Sequence, residues 1–209
     1  MVKHEWIKKI TITSYVVPIL LTRVIMLSEL RTRKLTKLFA MYDAQNHGVL
    51  QFSDFERIVH KLADLRGWKI GEERYDKLKN KYAYRWITMQ AEIKKKIHKN
   101  MDYKIDIDEW LKYHELAFQD ESYRREVTIF AELIFDIIDL DRSGKLDQLE
   151  WMTLYQVFNI PVVYANESFE KMDYNHDGLL SKEEFLPLIE DFYCSDDSNA
   201  TGNEIFGPI

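Results

Sequence analysis

Oxygen-bearing side chains fall on a regular register across Asp139-Leu-Asp-Arg-Ser-Gly-Lys-Leu-Asp-Gln-Leu-Glu150. Counting from Asp139, they occupy positions 1, 3, 5, 9 and 12, with glycine at 6 and leucine at 8. A hard divalent cation such as Ca²⁺ takes about six to eight oxygens, so a chain that wraps it must point alternate residues inward. Asp139, Asp141 and Ser143 would supply side-chain oxygens, Lys145 its backbone carbonyl, and Asp147 a direct or water-bridged contact. Glu150 would close the shell with both carboxylate oxygens. Gly144 stands at the sharp bend, where the backbone takes a conformation costly to a residue with a Cβ. Constraints met in this order define a twelve-residue calcium loop.

A second run, Asp173-Tyr-Asn-His-Asp-Gly-Leu-Leu-Ser-Lys-Glu-Glu184, is also complete. Asp173, Asn175, Asp177, the carbonyl of Leu179, Ser181 and Glu184 fill the ligand positions, with Gly178 at the bend. It offers three ligand carboxylates against four in 139–150, so the earlier loop is expected to bind at least as tightly. His176, at position 4, is expected to point to solvent.

Two weaker copies precede these EF-hand loops. Residues 43–54 keep Asp43, Gly48 and Leu50 but carry Gln45, His47, Gln51 and Asp54. An aspartate at position 12 is a methylene short for bidentate closure, and a histidine nitrogen is a poor ligand for a hard cation. Weak binding, a Mg²⁺ preference or no site at all is expected there. Residues 98–109 keep Asn100, Asp102, Asp106 and Glu109 but place His98 at position 1 and Tyr103 at position 6. The apical carboxylate is gone and Tyr103 would need a strained backbone, so an empty structural hand is expected.

These loops need helices to present them, and the flanking periodicity supplies them. Leu35, Leu38, Phe39 and Tyr42 share one helical face before the first loop, and Phe55, Ile58, Val59 and Leu62 share one after it. A long helix is predicted over roughly 72–99, carrying Tyr82, Tyr84, Trp86, Ile87 and Met89. Val127, Phe130, Ala131, Ile134, Phe135 and Ile138 form a stripe leading into Asp139. Pro161 is expected to end the helix after that loop, and Pro187 to kink the last one. Position 8 is Leu50, Ile105, Leu146 and Leu180, where paired loops join through a short β-bridge; position 13 is Phe55, Trp110, Trp151 and Phe185. The first positions are 55, 41 and 34 residues apart, an uneven internal repeat. The expected fold is all-α, two EF-hand pairs in one compact body: an extension over 1–26, pairs over 27–118 and 119–195, and a tail over 196–209.

Composition agrees. With 46% hydrophobic residues, 7 Gly and 4 Pro in 209 residues, the chain can fill a helical core. Its single cysteine, Cys194, cannot form an internal disulfide, which makes a reducing, cytoplasmic setting the default. Residues 1–37 are basic, eight Lys/Arg against two acids, while 132–209 carry seventeen acids against four bases. Acid concentrated in loops suits cations rather than nucleic acid. The apolar run 10–21 is too short to span a bilayer and is interrupted by Pro18; an extra packed segment or a start upstream of Met26 is the expected reading. His60 and His114 lack a neighbouring nucleophile and there is no glycine-rich phosphate loop, so an enzyme is not expected.

Four hands, a lengthened segment between the first two, a degraded second loop and intact third and fourth ones resemble the sarcoplasmic calcium-binding proteins, with the calerythrin and aequorin-type photoprotein layout close by. The resemblance covers about residues 27–209. It implies two hand pairs packed face to face in a Ca²⁺ buffer, expected as a monomer with Mg²⁺ as a competing ion. The photoprotein side implies an alternative, a Ca²⁺-regulated carrier of a small hydrophobic ligand, with Trp110, His114, Trp86, Tyr82 and Tyr84 as candidate lining. Family members also bind ion at the first hand, an expectation from which Gln45, His47 and Asp54 depart.

Overall fold

The computed structural model describes residues 27–97 and 103–209. The expectations for residues 1–26, and for His98, Asn100 and Asp102, lie outside the described residues.

The first helix, α1 (Glu29–Tyr42), starts where Ser28 caps it by accepting the Arg31 N–H at 3.1 Å. Its buried face holds Leu35, Leu38, Phe39 and Tyr42, as the periodicity predicts. A two-residue strand β1 (Val49–Leu50) leads into α2 (Phe52–Leu65), whose apolar stripe Phe55, Ile58, Val59, Leu62 is buried. Then come the long α3 (Glu73–Ile97), β2 (Ile105–Asp106) and α4 (Ile107–Ala117). The second half repeats the scheme: α5 (Glu121–Ile138), β3 (Lys145–Leu146), α6 (Gln148–Val157), α7 (Ala165–Met172), β4 (Leu180–Ser181) and α8 (Lys182–Cys194).

The strands pair as position 8 requires. β1 and β2 are antiparallel with Leu50 opposite Ile105, and β3 and β4 are antiparallel with Leu146 opposite Leu180. All four side chains are fully buried, each worth roughly 1.5–3 kcal/mol of apolar transfer. Just past the strands, the position-13 rings fill the space below. Phe55 stacks on Tyr42 at 4.7 Å between centroids, and Trp110 lies 6.0 Å from the same tyrosine. In the second pair Phe185 sits 5.5 Å from Phe135 and 6.2 Å from Trp151.

The two pairs meet through α1 on α8 and α2 on α5 and α6. Lysine and arginine side chains lock the join by capping helix ends. Lys34 is buried and donates to the carbonyls of Asp191 and Ser195 at 3.1 and 2.9 Å, the last turn of α8, where a cation complements the helix dipole. Burial lowers its pKa despite nearby Asp191. Lys61 of α2 does the same for α6, donating to Gln156 and Val157 at 3.0 and 3.2 Å.

One boundary differs from the sequence reading. α6 stops at Val157, ahead of Pro161, because Asn159 adopts φ +58° and the Ile160 N–H reaches back to the Tyr155 carbonyl at 2.8 Å. Asparagine tolerates that left-handed cap better than most residues, so the stop belongs to it. α8 continues through Pro187 to Cys194.

Candidate metal centre

The first, third and fourth hands open on the same local hydrogen bonds. The first-position aspartate turns its carboxylate back onto the backbone: Asp139 accepts from the N–H of Ser143 and of Gly144, both at 3.0 Å. Asp173 accepts from Asp177 and Gly178 at 3.3 and 2.8 Å. Asp43 does the same with His47 and Gly48 at 2.9 and 2.7 Å. At the far end, positions 9 and 12 form a capping box that starts the next helix: Asp147 with Glu150, Ser181 with Glu184, Asp106 with Glu109, Gln51 with Asp54. The ligand positions therefore double as helix caps, which is how so short a loop is held rigid.

In loop 139–150 this framework draws the carboxylates of Asp139, Asp141 and Glu150 together, one oxygen from each within 4.8 Å of the others. Asp139 and Glu150 are buried. The Glu150 Oε1 is fixed over the loop mouth by the Leu140 N–H at 2.6 Å, and its Oε2 by the Asp147 N–H at 3.0 Å. The Ser143 amide, then its hydroxyl, hold the Asp141 carboxyl below its usual pKa. Ser143 Oγ donates to the Lys145 carbonyl at 2.9 Å. No lysine or arginine among the described residues neutralises this trio. Such a cluster of ionised oxygens fits a divalent cation, whose charge would offset their repulsion.

Loop 173–184 brings Asn175 and Glu184 together, the Asn175 amide donating to Glu184 Oε1 at 3.0 Å. Ser181 Oγ donates to Glu184 Oε2 at 2.8 Å. Asp177 instead faces Lys145 of the other loop, Nζ at 2.8 Å, which holds its carboxyl below the usual range. The sequence reading used only the carbonyl of Lys145 and missed this cross-loop pair. His176 is exposed, as position 4 implies.

The first two loops depart from this arrangement. Asp54 at position 12 is engaged by Arg57 at 3.2 Å, and Arg57 also donates to the Tyr42 carbonyl at 2.6 Å. A fixed cation thus stands where loop 43–54 would need an unpaired carboxylate. In the second loop Tyr103 takes φ +59°, the bend that glycine makes at +73°, +81° and +78° in the other three. Holding a non-glycine residue there costs on the order of 1 kcal/mol or more. Because Tyr103 is largely exposed, Tyr103→Gly is expected to raise stability by up to about 1 kcal/mol in urea melts without creating an ion site. A destabilised variant would show that the Tyr103 ring contributes packing after all.

Arg66, just past α2, donates to the carbonyls of Asp136, Asp139 and Leu140. It caps α5 at the entrance of loop 139–150, and nothing in its sequence neighbourhood marks it for that.

Of the candidate ligand-lining residues, Trp110 and His114 do meet, ring centroids 4.4 Å apart. His114 is fully buried, shares a 2.7 Å hydrogen bond with Tyr123, and is kept neutral by burial and by Arg85. Tyr82 and Trp86 pack on Phe55, whereas Tyr84 is exposed. The proposed aromatic set is thus split. The space between the two pairs, lined by Tyr42, Phe130, Phe158, Phe185, Tyr193 and Phe206 among others, amounts to about 50 Å³.

Residues 130–190 match the family described as an EF-hand domain pair. Calerythrin of Saccharopolyspora erythraea is 22% identical over 173 residues, 80% of this chain and 94% of that protein. The fold is shared with a sarcoplasmic calcium-binding protein from amphioxus, TM-score 0.65 at 14% identity, over 88% of this chain and 99% of the other. It is shared too with a coelenterazine-binding protein from Renilla muelleri, TM-score 0.60 at 18% identity, over 88% and 100%. Loops, caps and helices together define an EF-hand fold, and residues 130–190 carry the match to the EF-hand pair. More narrowly, its layout is similar to that of calerythrin and of the amphioxus sarcoplasmic calcium-binding protein.

Proposed function

We propose that the chain binds two Ca²⁺ ions, one in 139–150 and one in 173–184, and serves as a cytoplasmic Ca²⁺ buffer or signal modulator. The observation that carries this is the convergence of Asp139, Asp141 and Glu150 on one point without a counter-cation among the described residues. Ser143, the carbonyl of Lys145 and Asp147 complete the first shell; Asp173, Asn175, Asp177, the carbonyl of Leu179, Ser181 and Glu184 form the second. Mg²⁺, smaller and strict about octahedral geometry, competes for the same oxygens. Arg57 on Asp54 argues against a third ion at the first hand.

Buffering is favoured over carriage of a ligand in the space between the two pairs. A central space of about 50 Å³ is far below the roughly 300–1,000 Å³ that small-molecule pockets occupy. Sensors open a methionine-rich groove, whereas Met41, Met89 and Met172 are buried on three different helices. The chain is taken to act as a monomer without nucleic acid. No helix among the described residues is long and apolar enough to cross a membrane.

Calorimetric titration of the chelated protein is expected to give two Ca²⁺ per chain, shifted to weaker apparent affinity by Mg²⁺. One ion or none would overturn the assignment. A third would overturn the argument from Arg57.

A further inference from the structure

Helices α3 and α5 leave between them an open groove of about 490 Å³. One wall is Lys77, Lys81 and Arg85, spaced i, i+4, i+8 and therefore one above another on one face of α3. The other is apolar, made by Ile129, Phe130 and Leu133 of α5. Ile129 and Tyr84, both in the groove lining, are 51% and 70% exposed, so large apolar side chains face water here. Glu126 is the acid in this lining.

The cations differ in how they are used. Lys77 is paired with Glu73 at 2.6 Å. Lys81 and Arg85 have no carboxylate or hydrogen-bond acceptor among the described residues. Arg85 is half-buried and lies over the Phe130 ring, 5.1 Å from its centroid. A guanidinium drawn partly out of water without an acceptor is costly, and its planar fork matches a carboxylate. The groove's size is that of a small-ligand pocket. It is concave, with Arg85 set into it, so a flat bilayer does not reach the charge that an inserted free molecule can.

We propose that this groove binds a free amphipathic monocarboxylate, a fatty-acid-like anion. Its carboxylate lies on Arg85 and Lys81, and its hydrocarbon chain covers Ile129, Phe130 and Leu133. The site is separate from the four loops and does not depend on their holding an ion.

The test is calorimetry of the full chain, saturated with Ca²⁺, against dodecanoate below its micelle concentration, with dodecanol as the uncharged match. One dodecanoate per chain is expected, with dodecanol at least about tenfold weaker, the loss of a charge-assisted hydrogen-bond pair. Arg85→Gln should weaken dodecanoate by a similar factor. Ile129→Asp, at an exposed position, should abolish it while leaving the Ca²⁺ stoichiometry unchanged. The proposal is overturned by non-saturable binding, by equal affinity for the alcohol, or by an Arg85→Gln variant that binds as well as the parent. It is equally overturned if the protein binds phosphatidylserine vesicles and dodecanoate does not compete, since the occupant would then be a membrane.

Discussion

Glu150→Gln and Glu184→Gln are each expected to remove one Ca²⁺ from the titration and leave the other. Glutamate at position 12 is the one residue that can give two oxygens, and it carries the charge that closes the loop. The amide keeps the length and one oxygen, so the capping box with Asp147 or Ser181 can persist. Helix α6 or α8 should then still start where it does. What is lost is a charged ligand, and with hydrogen bonds to charged groups worth about 1.5–3 kcal/mol as a guide, affinity at that loop should fall by at least tenfold. The contrast between the two variants is informative. Glu150 faces Asp139 and Asp141, two further carboxylates, whereas Glu184 faces the Asn175 amide. The residual site in Glu184→Gln should therefore be the tighter of the two left behind. Unchanged stoichiometry in either variant, with circular dichroism unaltered, would sink the ligand assignment for that loop.

The parts of this molecule legible in its sequence are those where one residue type is forced by local geometry. Alternating oxygens with glycine at the bend, a branched residue at position 8 and an aromatic at 13 each answer one physical demand. The strand register, the buried stripes and the rings beneath the loops follow from them. What stayed hidden depends on reach. Lys145, Arg57, Arg66 and Lys34 have long side chains with many possible partners, and only the packed fold shows that one bonds Asp177, one Asp54, one the end of α5 and one the end of α8.

Two further features resisted for other reasons. Tyr84 and Ile87 looked like members of an apolar helix, yet α3 is covered by α2 and α4 and leaves these two outside. Composition cannot say which face of a 25-residue helix lacks a neighbour. The tail over 196–209 has no periodicity to show how it packs, yet Ile205 and Phe206 are buried, Phe206 packs on Phe192 at 4.8 Å, and Lys37 and Arg33 donate to the carbonyls of Pro208 and Ile209. Gly202 is required in that turn, since a Cβ there would lie 2.2 Å from the Leu188 carbonyl oxygen.

Chelation is expected to lower the thermal midpoint by about 10–20 °C and to loosen the second pair of hands first. Binding to the folded state alone adds about 2.7 kcal/mol per site when free ion is a hundredfold above Kd. Two sites give about 5 kcal/mol, and near 200 residues each kcal/mol moves the midpoint by about 2–4 °C. Repulsion works in the same direction. Carboxylates 4.8 Å apart, the limit within which the oxygens of Asp139, Asp141 and Glu150 lie, repel by roughly 1–3 kcal/mol a pair between water-like and surface-like screening. In the first hand, Arg57 already balances Asp54. Hydrogen exchange should therefore rise over 119–195, most at β3 and β4, whose bridge ties the two loops, while Leu50 and Ile105 stay protected. The loosening should reach α1 only through α8 and Lys34, so the α1 amides should change later and less. Identical melting with and without chelator would mean that these loops hold no ion that matters to the fold, and uniform exchange along the chain would mean that the charge argument misplaces the strain.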